Sequence, residues 1–165
     1  FYVGTFSKSV GTVGGFAVSN HPKFDVLRYV SRPYIFTASP PPSVVASAIK
    51  SIEAIKRGSN RRAHLWENAK RLHAGLKDAG FDLCTEKAES PIIAVHFPDV
   101  MIGTKFWEQL IMEGVYVNMA APPATPAGMF LMRVSVCAQH TTEQIDEIIK
   151  RFKTTADKVG LELKA

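Results

Sequence analysis

The chain has 165 residues, 46% of them hydrophobic and 21% charged, with a formal net charge of +5. These proportions are those of an ordinary globular chain able to bury a core, and they exclude a disordered or low-complexity polypeptide. No apolar run approaches the roughly 20 residues that a bilayer-crossing helix needs and no secretory leader pattern is present, so the expectation is a soluble, cytoplasmic chain.

Taken in order, Phe1 to Val3 reads as a short apolar strand. A chain that starts inside a strand pattern and without methionine is expected to be the carboxy-terminal part of a longer enzyme. A turn rich in glycine and hydroxyl residues follows, Gly4 to Gly15, and Phe16 to Val18 reads as a second strand. His21-Pro22 opens a helical stretch with Phe24, Leu27 and Val30 near helical spacing, which Arg32-Pro33 ends. Tyr34 to Thr37 is expected to be extended, and the prolines at 40 to 42 to deliver Ser43 as the cap of a long helix. That helix carries Val45, Ala48, Ile49, Ile52 and Ile55 on one stripe and Lys50, Glu53 and Lys56 opposite, until Gly58 to Asn60 interrupts it.

Leu65, Ala69, Leu72 and Leu76 mark the next helix, with Gly80 as a left-handed cap. Pro91 to Phe97 reads as a strand, 104 to 113 as a helix stopped by Gly114, and Val115 to Asn118 and Met129 to Val136 as strands flanking a proline-rich loop. Thr141 followed by Gln144 is a capping box, opening a last helix whose buried stripe is Ile145, Ile148, Ile149 and Phe152. The sum is an α/β chain: residues 1–43 as the end of a large cofactor-binding domain and residues 44–165 as a smaller α/β domain.

Cys84 and Cys137 lack ligand-like spacing and are expected to be buried or half-buried thiols. None of the five histidines forms a metal motif; His64 and His73 read as surface or packing residues and His140 as setting the turn before the last helix. The cations are spread over several short pairs, among them Lys56-Arg57 and Arg61-Arg62, without aromatic interleaving, which argues against nucleic acid as a partner. A mild positive field would instead favour an anionic substrate.

Lys8 is the most informative residue. It stands in Gly4-Thr5-Phe6-Ser7-Lys8-Ser9-Val10-Gly11-Thr12-Val13-Gly14-Gly15. A Walker phosphate loop needs glycines where this chain has Ser7 and Tyr2, and a dinucleotide fingerprint needs a different glycine spacing and a helix after it. An amine among hydroxyls and turn amides can, however, hold a phosphorylated aldehyde: Thr5, Ser7 and the turn take the phosphate oxygens and the lysine nitrogen bonds the aldehyde carbon. Pyridoxal phosphate fits that description. The alternative is a surface lysine in a flexible turn.

This segment resembles the cofactor-lysine segment of the alpha-oxoamine synthases, pyridoxal-phosphate enzymes of fold type I. The likeness continues through Arg32-Pro33-Tyr34-Ile35-Phe36-Thr37-Ala38-Ser39, Asn118-Met119-Ala120, Pro122-Pro123-Ala124-Thr125-Pro126-Ala127-Gly128, and Arg133 with Ala138-Gln139-His140-Thr141. Within the family, the proline-rich loop looks most like the bacterial serine palmitoyltransferase branch. The resemblance implies a homodimer with a shared active site, in which Lys8 holds the cofactor and then takes the proton from the alpha carbon, a role suited to an amine whose pKa falls readily on burial. It implies that Thr37 and Ala38 reach the phosphate of the neighbouring subunit's cofactor; read alone, Thr37 is a hydroxyl satisfying nearby backbone.

Arg133 stands in an otherwise apolar strand, where a buried guanidinium needs an anion. An acidic side chain is one candidate; the resemblance implies the amino-acid substrate's carboxylate. The family's ring-stacking histidine and acidic partner of the pyridine nitrogen are expected upstream of Lys8. Where the branch usually has arginine before the proline-rich loop, this chain has Ala121. The implied reaction is decarboxylative condensation of L-serine with a long-chain acyl-CoA, with glycine- or alanine-using siblings and a non-catalytic dimer partner as alternatives.

Overall fold

The structure, a computed structural model, describes residues 1–164. The chain divides into two compact units, Phe1–Ser59 and the part from Asn60 onward.

The first unit opens with an antiparallel hairpin of β1 (Tyr2–Thr5) and β2 (Gly15–Val18), in register from Tyr2 opposite Val18 to Thr5 opposite Gly15. A 3-10 turn at Phe24–Val26 leads into α1 (Leu27–Val30), and α2 (Arg32–Ile35) follows after the single extended residue Ser31. The expected extended segment from Tyr34 is therefore helical at its start. Pro33 lies in the first turn of α2, where no intrahelical bond needs its missing N–H and its fixed φ suits the helix, so it begins a helix where the sequence reading had it ending one.

The same physics moves the start of α3 (Pro42–Arg57). Pro41 is its N-cap and Pro42 its first residue, without any side-chain cap, so Ser43 lies inside the helix and does not cap it. Of the stripe on α3 only Ala48 is buried; Val45, Ile49, Ile52 and Ile55 stay partly exposed.

From Asn60 onward the order is most of α4 (Ser59–Asp78), β3 (Ile92–Phe97), α5 (Val100–Met112), β4 (Asn118–Ala120), β5 (Phe130–Ser135) and α6 (Thr142–Val159). The strands form an antiparallel sheet in the order β3-β5-β4, and a bridge from Leu83 to Val95 adds a short piece beyond β3. Ile93, Val95 and Phe97 of β3 and Phe130, Met132 and Val134 of β5 point to one face, where they meet the buried stripes of α4 (Ala69, Leu72, Leu76), α5 (Phe106, Leu110) and α6 (Ile145, Phe152, Ala156). Each of the larger of these side chains contributes roughly 1.5–3 kcal/mol when fully buried. Gly75 lets α4 and α6 close together: a β-carbon there would run into Ile149.

The helix ends follow local chemistry. Asp99 caps α5 by accepting from the N–H groups of Met101 and Ile102, starting it four residues earlier than the apolar pattern alone suggests. The capping box of Thr141 and Gln144 is formed, and α6 ends at Gly160 in the left-handed region. Both cysteines are exposed, contrary to expectation. Cys137 directly follows buried Val136, and Cys84 follows Leu83, whose bridge partner Val95 is buried, so alternation turns both thiols away from the core. Among the described residues no helix is long and apolar enough to cross a membrane.

Candidate functional site

The β1–β2 hairpin builds the environment of Lys8. The strands are held at the loop end by the N–H of Phe6 donating to the carbonyl of Gly14 at 2.9 Å and that of Thr12 donating to Phe6 at 3.0 Å. The Lys8 carbonyl accepts from Gly11 at 3.0 Å, closing a tight turn. Gly11 and Gly14 have φ of 68° and 100°, a region that favours glycine, so the glycine pattern is a backbone requirement of this loop. Phe16 lays its ring over Gly4, where a β-carbon would collide with it, and stacks on Phe6 with centroids 5.8 Å apart.

Within this turn the hydroxyls of Thr5 and Ser7 lie 2.9 Å apart, and the Ser7 N–H donates to Thr5 Oγ1 at 3.2 Å. Thr5, Ser7 and Lys8 are all exposed. No acidic side chain among the described residues pairs with the Lys8 amine. The loop thus carries two adjacent hydroxyls and, next in the chain to Ser7, one exposed lysine, a set that suits a small phosphorylated carbonyl compound: the hydroxyls donate to phosphate oxygens and the amine adds to the carbonyl carbon.

Thr37 and Ala38 follow α2 in the same unit, and both are exposed. The Thr37 hydroxyl donates to the carbonyl of Pro33, satisfying backbone at the end of that short helix, while its oxygen keeps lone pairs and no further donor.

Arg133 lies in the central strand of the other unit's sheet, opposite Ala94 on one side and Asn118 on the other. Its side chain is exposed, a correction to the expected burial: Phe130, Met132 and Val134 take the core face, and Leu131, Arg133 and Ser135 the open one. No acidic side chain among the described residues pairs with it. Asn118, which the sequence reading did not single out, shares the open face and donates from Nδ2 to the Tyr116 hydroxyl at 3.3 Å. Strand register alone brings it beside Arg133. Ala121 is partly buried against the core cluster.

The remaining polar clusters are structural. His73 is buried and bonds the Thr85 carbonyl through Nε2 at 2.9 Å. His140 Nδ1 accepts from the Cys137 N–H at 3.2 Å, fixing the turn before α6 as expected. Asp82 takes His96 at 2.9 Å and Lys164 at 2.7 Å, and these partners hold its carboxyl below the usual carboxylate range, Lys164 foremost. No group of three or more His, Cys, Asp or Glu side chains among the described residues is placed to hold a metal.

The family model "Aminotransferase class I and II" matches residues 1–152. Serine palmitoyltransferase of Sphingomonas paucimobilis is 55% identical over 161 residues, which is 98% of this chain and 38% of that enzyme. The solved structure of Sphingomonas wittichii serine palmitoyltransferase superposes with a TM-score of 0.93 at 57% identity, covering 96% of this chain and 40% of the other. An 8-amino-7-oxononanoate synthase of Symbiobacterium thermophilum is 35% identical over 159 residues, 96% of this chain and 40% of its own length. The chain spans about two fifths of the length of these relatives.

Proposed function

We propose that this chain, which belongs to the aminotransferase class I and II family, is the part of a pyridoxal-phosphate-dependent acyltransferase that anchors the cofactor and grips the amino-acid substrate. The reaction is the condensation of L-serine with a long-chain acyl-CoA such as palmitoyl-CoA, giving 3-ketosphinganine, CoA and carbon dioxide, the first step of sphingolipid synthesis. The observation that carries this reading is the paired hydroxyls of Thr5 and Ser7 in the same glycine-bounded turn as the exposed Lys8. The 55% identity to a serine palmitoyltransferase supports the choice of substrates.

Thr5 and Ser7 would donate to the phosphate, and Lys8 Nζ would hold the group through its aldehyde carbon. When bound, the cofactor's pyridine ring withdraws electrons from the substrate's alpha carbon. The chain's own residues supply positioning and proton transfer. Arg133 grips the substrate carboxylate with its two-pronged fork. Lys8, once freed, takes the proton from the alpha carbon to Nζ. Thr37 and Ala38 serve the phosphate of a neighbouring subunit, in a cytoplasmic homodimer whose active sites are shared. Residues 1–43 belong to the large cofactor domain in this reading and residues 44–165 to the small one.

The test is borohydride treatment of the complete protein loaded with pyridoxal phosphate, followed by peptide mass spectrometry. A pyridoxyl label on Lys8 and loss of visible absorption are expected; a colourless protein with Lys8 unlabelled overturns the reading. The 35% identity to an 8-amino-7-oxononanoate synthase keeps a sibling substrate pair as a second reading. Product analysis with serine, glycine and alanine, each with short and long acyl-CoAs, separates the two. Serine with the long chain is expected to give the dominant product.

A further inference from the structure

We infer that Asn118 is a positioning residue for Arg133, and that an amide in place of a carboxylate there is what leaves the guanidinium to an amino-acid carboxylate. The inference rests on the reading of Arg133 given above.

The argument starts from register. Asn118 and Arg133 are direct partners across β4 and β5. Directly opposed residues of an antiparallel pair share a face, with β-carbons about 4.5–5.5 Å apart. Both side chains are exposed on the face away from the helices. The other cross-strand neighbour of Arg133 is Ala94, and its neighbours along β5 on the same face are Leu131 and Ser135. Leu131 and Ala94 offer no acceptor, and none of the four is acidic. Asn118 is thus the one directly opposed residue that can hydrogen-bond the guanidinium through its side chain.

Its chemistry suits that task. Asn118 Nδ2 is already directed to the Tyr116 hydroxyl, at 3.3 Å, which leaves Oδ1 as the free end of the amide. Oδ1 only accepts, and a guanidinium only donates, through five N–H groups in a fixed fork. One N–H given to Oδ1 fixes the plane of the guanidinium and leaves the rest of the fork for two parallel bonds to a carboxylate. An aspartate of the same shape would do something different. At that separation it would form an ion pair with Arg133 and compete with every incoming carboxylate. A leucine would leave the long side chain free to swing, and each binding event would then pay for ordering it.

The test uses the complete protein and measures KM for the amino acid and for the acyl-CoA separately, with thermal melting as the control for folding. Asn118→Asp is expected to raise the amino-acid KM about ten- to hundredfold, the worth of one charge-assisted hydrogen bond. The acyl-CoA KM and the melting temperature should stay put. Asn118→Leu is expected to raise the same KM about fivefold, as loss of one orienting hydrogen bond does. In an Arg133→Ala background both effects should vanish, because the group they act through is gone. An amino-acid KM unchanged in Asn118→Asp, or an effect of the same size without Arg133, overturns the inference. If Arg133→Ala alone leaves the amino-acid KM unchanged, the carboxylate reading of Arg133 fails instead, and the inference falls with it.

Discussion

The two units are held by different means. From Asn60 onward, three helices and one face of a sheet enclose a continuous core in which Phe81, Phe97, Phe106 and Phe152 meet ring to ring at 5.0–5.9 Å. In Phe1–Ser59, Ala48 is the sole buried apolar residue among those described, and Tyr29 and Phe36 are 78% and 79% exposed. Order there is local: a hairpin zipped by backbone bonds, short helices set by prolines, and glycines in a tight turn. Substitutions in the first unit should therefore change chemistry without changing stability, and substitutions in the core of the second should do the reverse.

Lys8→Ala gives the largest expected effect and tests the first half of that contrast. Loss of the anchoring amine and of its proton transfer should lower turnover of the complete enzyme by at least about 10²–10⁴-fold, the usual worth of a positioned acid-base group. Stability should move by no more than about 0.5 kcal/mol, as for other exposed substitutions. Turnover of the loaded enzyme and a thermal melt of the cofactor-free protein check both, since loss of a bound cofactor lowers the melt by itself. A melt displaced by several degrees would make Lys8 a structural residue and erase the contrast.

Phe152→Ala tests the second half. The ring is fully buried and lies 5.5 Å from both Phe81 and Phe106, so truncation should cost about 3–5 kcal/mol, read as a lower urea midpoint. Because α6 and the β5 strand bearing Arg133 line the same core, any activity lost in this variant should return when the protein is stabilised by saturating substrate. A loss below about 1 kcal/mol would mean that the core tolerates a void and that the sheet is held by its strands alone.

The contrast also explains what could be read from the sequence. Thr5, Ser7 and Lys8 lie within four residues of one another, so the hairpin turn joins residues already adjacent in the chain. The capping box of α6 and the turn glycines were equally legible, because each is a local rule. Pro33 was misread because proline both ends one helix and suits the first turn of the next. Arg133 was assigned to the interior because Leu131 and Met132 are both apolar, and the strand's alternation has no visible phase until the helices choose Met132. Asn118 was invisible as a partner, since the proline-rich loop separates it from Arg133 and only strand register joins them.

A smaller effect should come from the charge cluster that ties α5 to α6. Glu113, at the C-terminal end of α5, receives Lys158, Arg151 at 2.8 Å and Gln109 at 3.0 Å. These partners lower its pKa to about 2, Lys158 contributing most. A carboxylate whose folded pKa lies below its ordinary value of 4.5 adds stability that is fully present above that value and is lost as pH falls through the folded pKa. Stability measured between about pH 2 and pH 5 should therefore climb more steeply with pH in the native protein than in Glu113→Gln. The difference between the two should shrink in high salt, since the ion pairs are near the surface. Parallel pH profiles would show that the cluster adds nothing to folding.

The smallest expected change is a gain. Thr155 on α6 is fully buried, and its hydroxyl has no hydrogen-bond partner among the described residues, whereas the neighbouring exposed Thr154 donates to the Lys150 carbonyl at 2.6 Å. A buried hydroxyl without a partner keeps its full desolvation cost. Valine has the same branching at the β-carbon and the same restricted χ1, so Thr155→Val removes that cost while leaving the helix backbone and the packing envelope nearly as they were. The variant should be more stable by roughly 1 kcal/mol. Urea unfolding should show a higher midpoint at an unchanged slope, because neither state alters the area it exposes. A lower midpoint would mean that the hydroxyl is bonded in solution, and that the second unit is held at this point by a polar contact as local as those of the first.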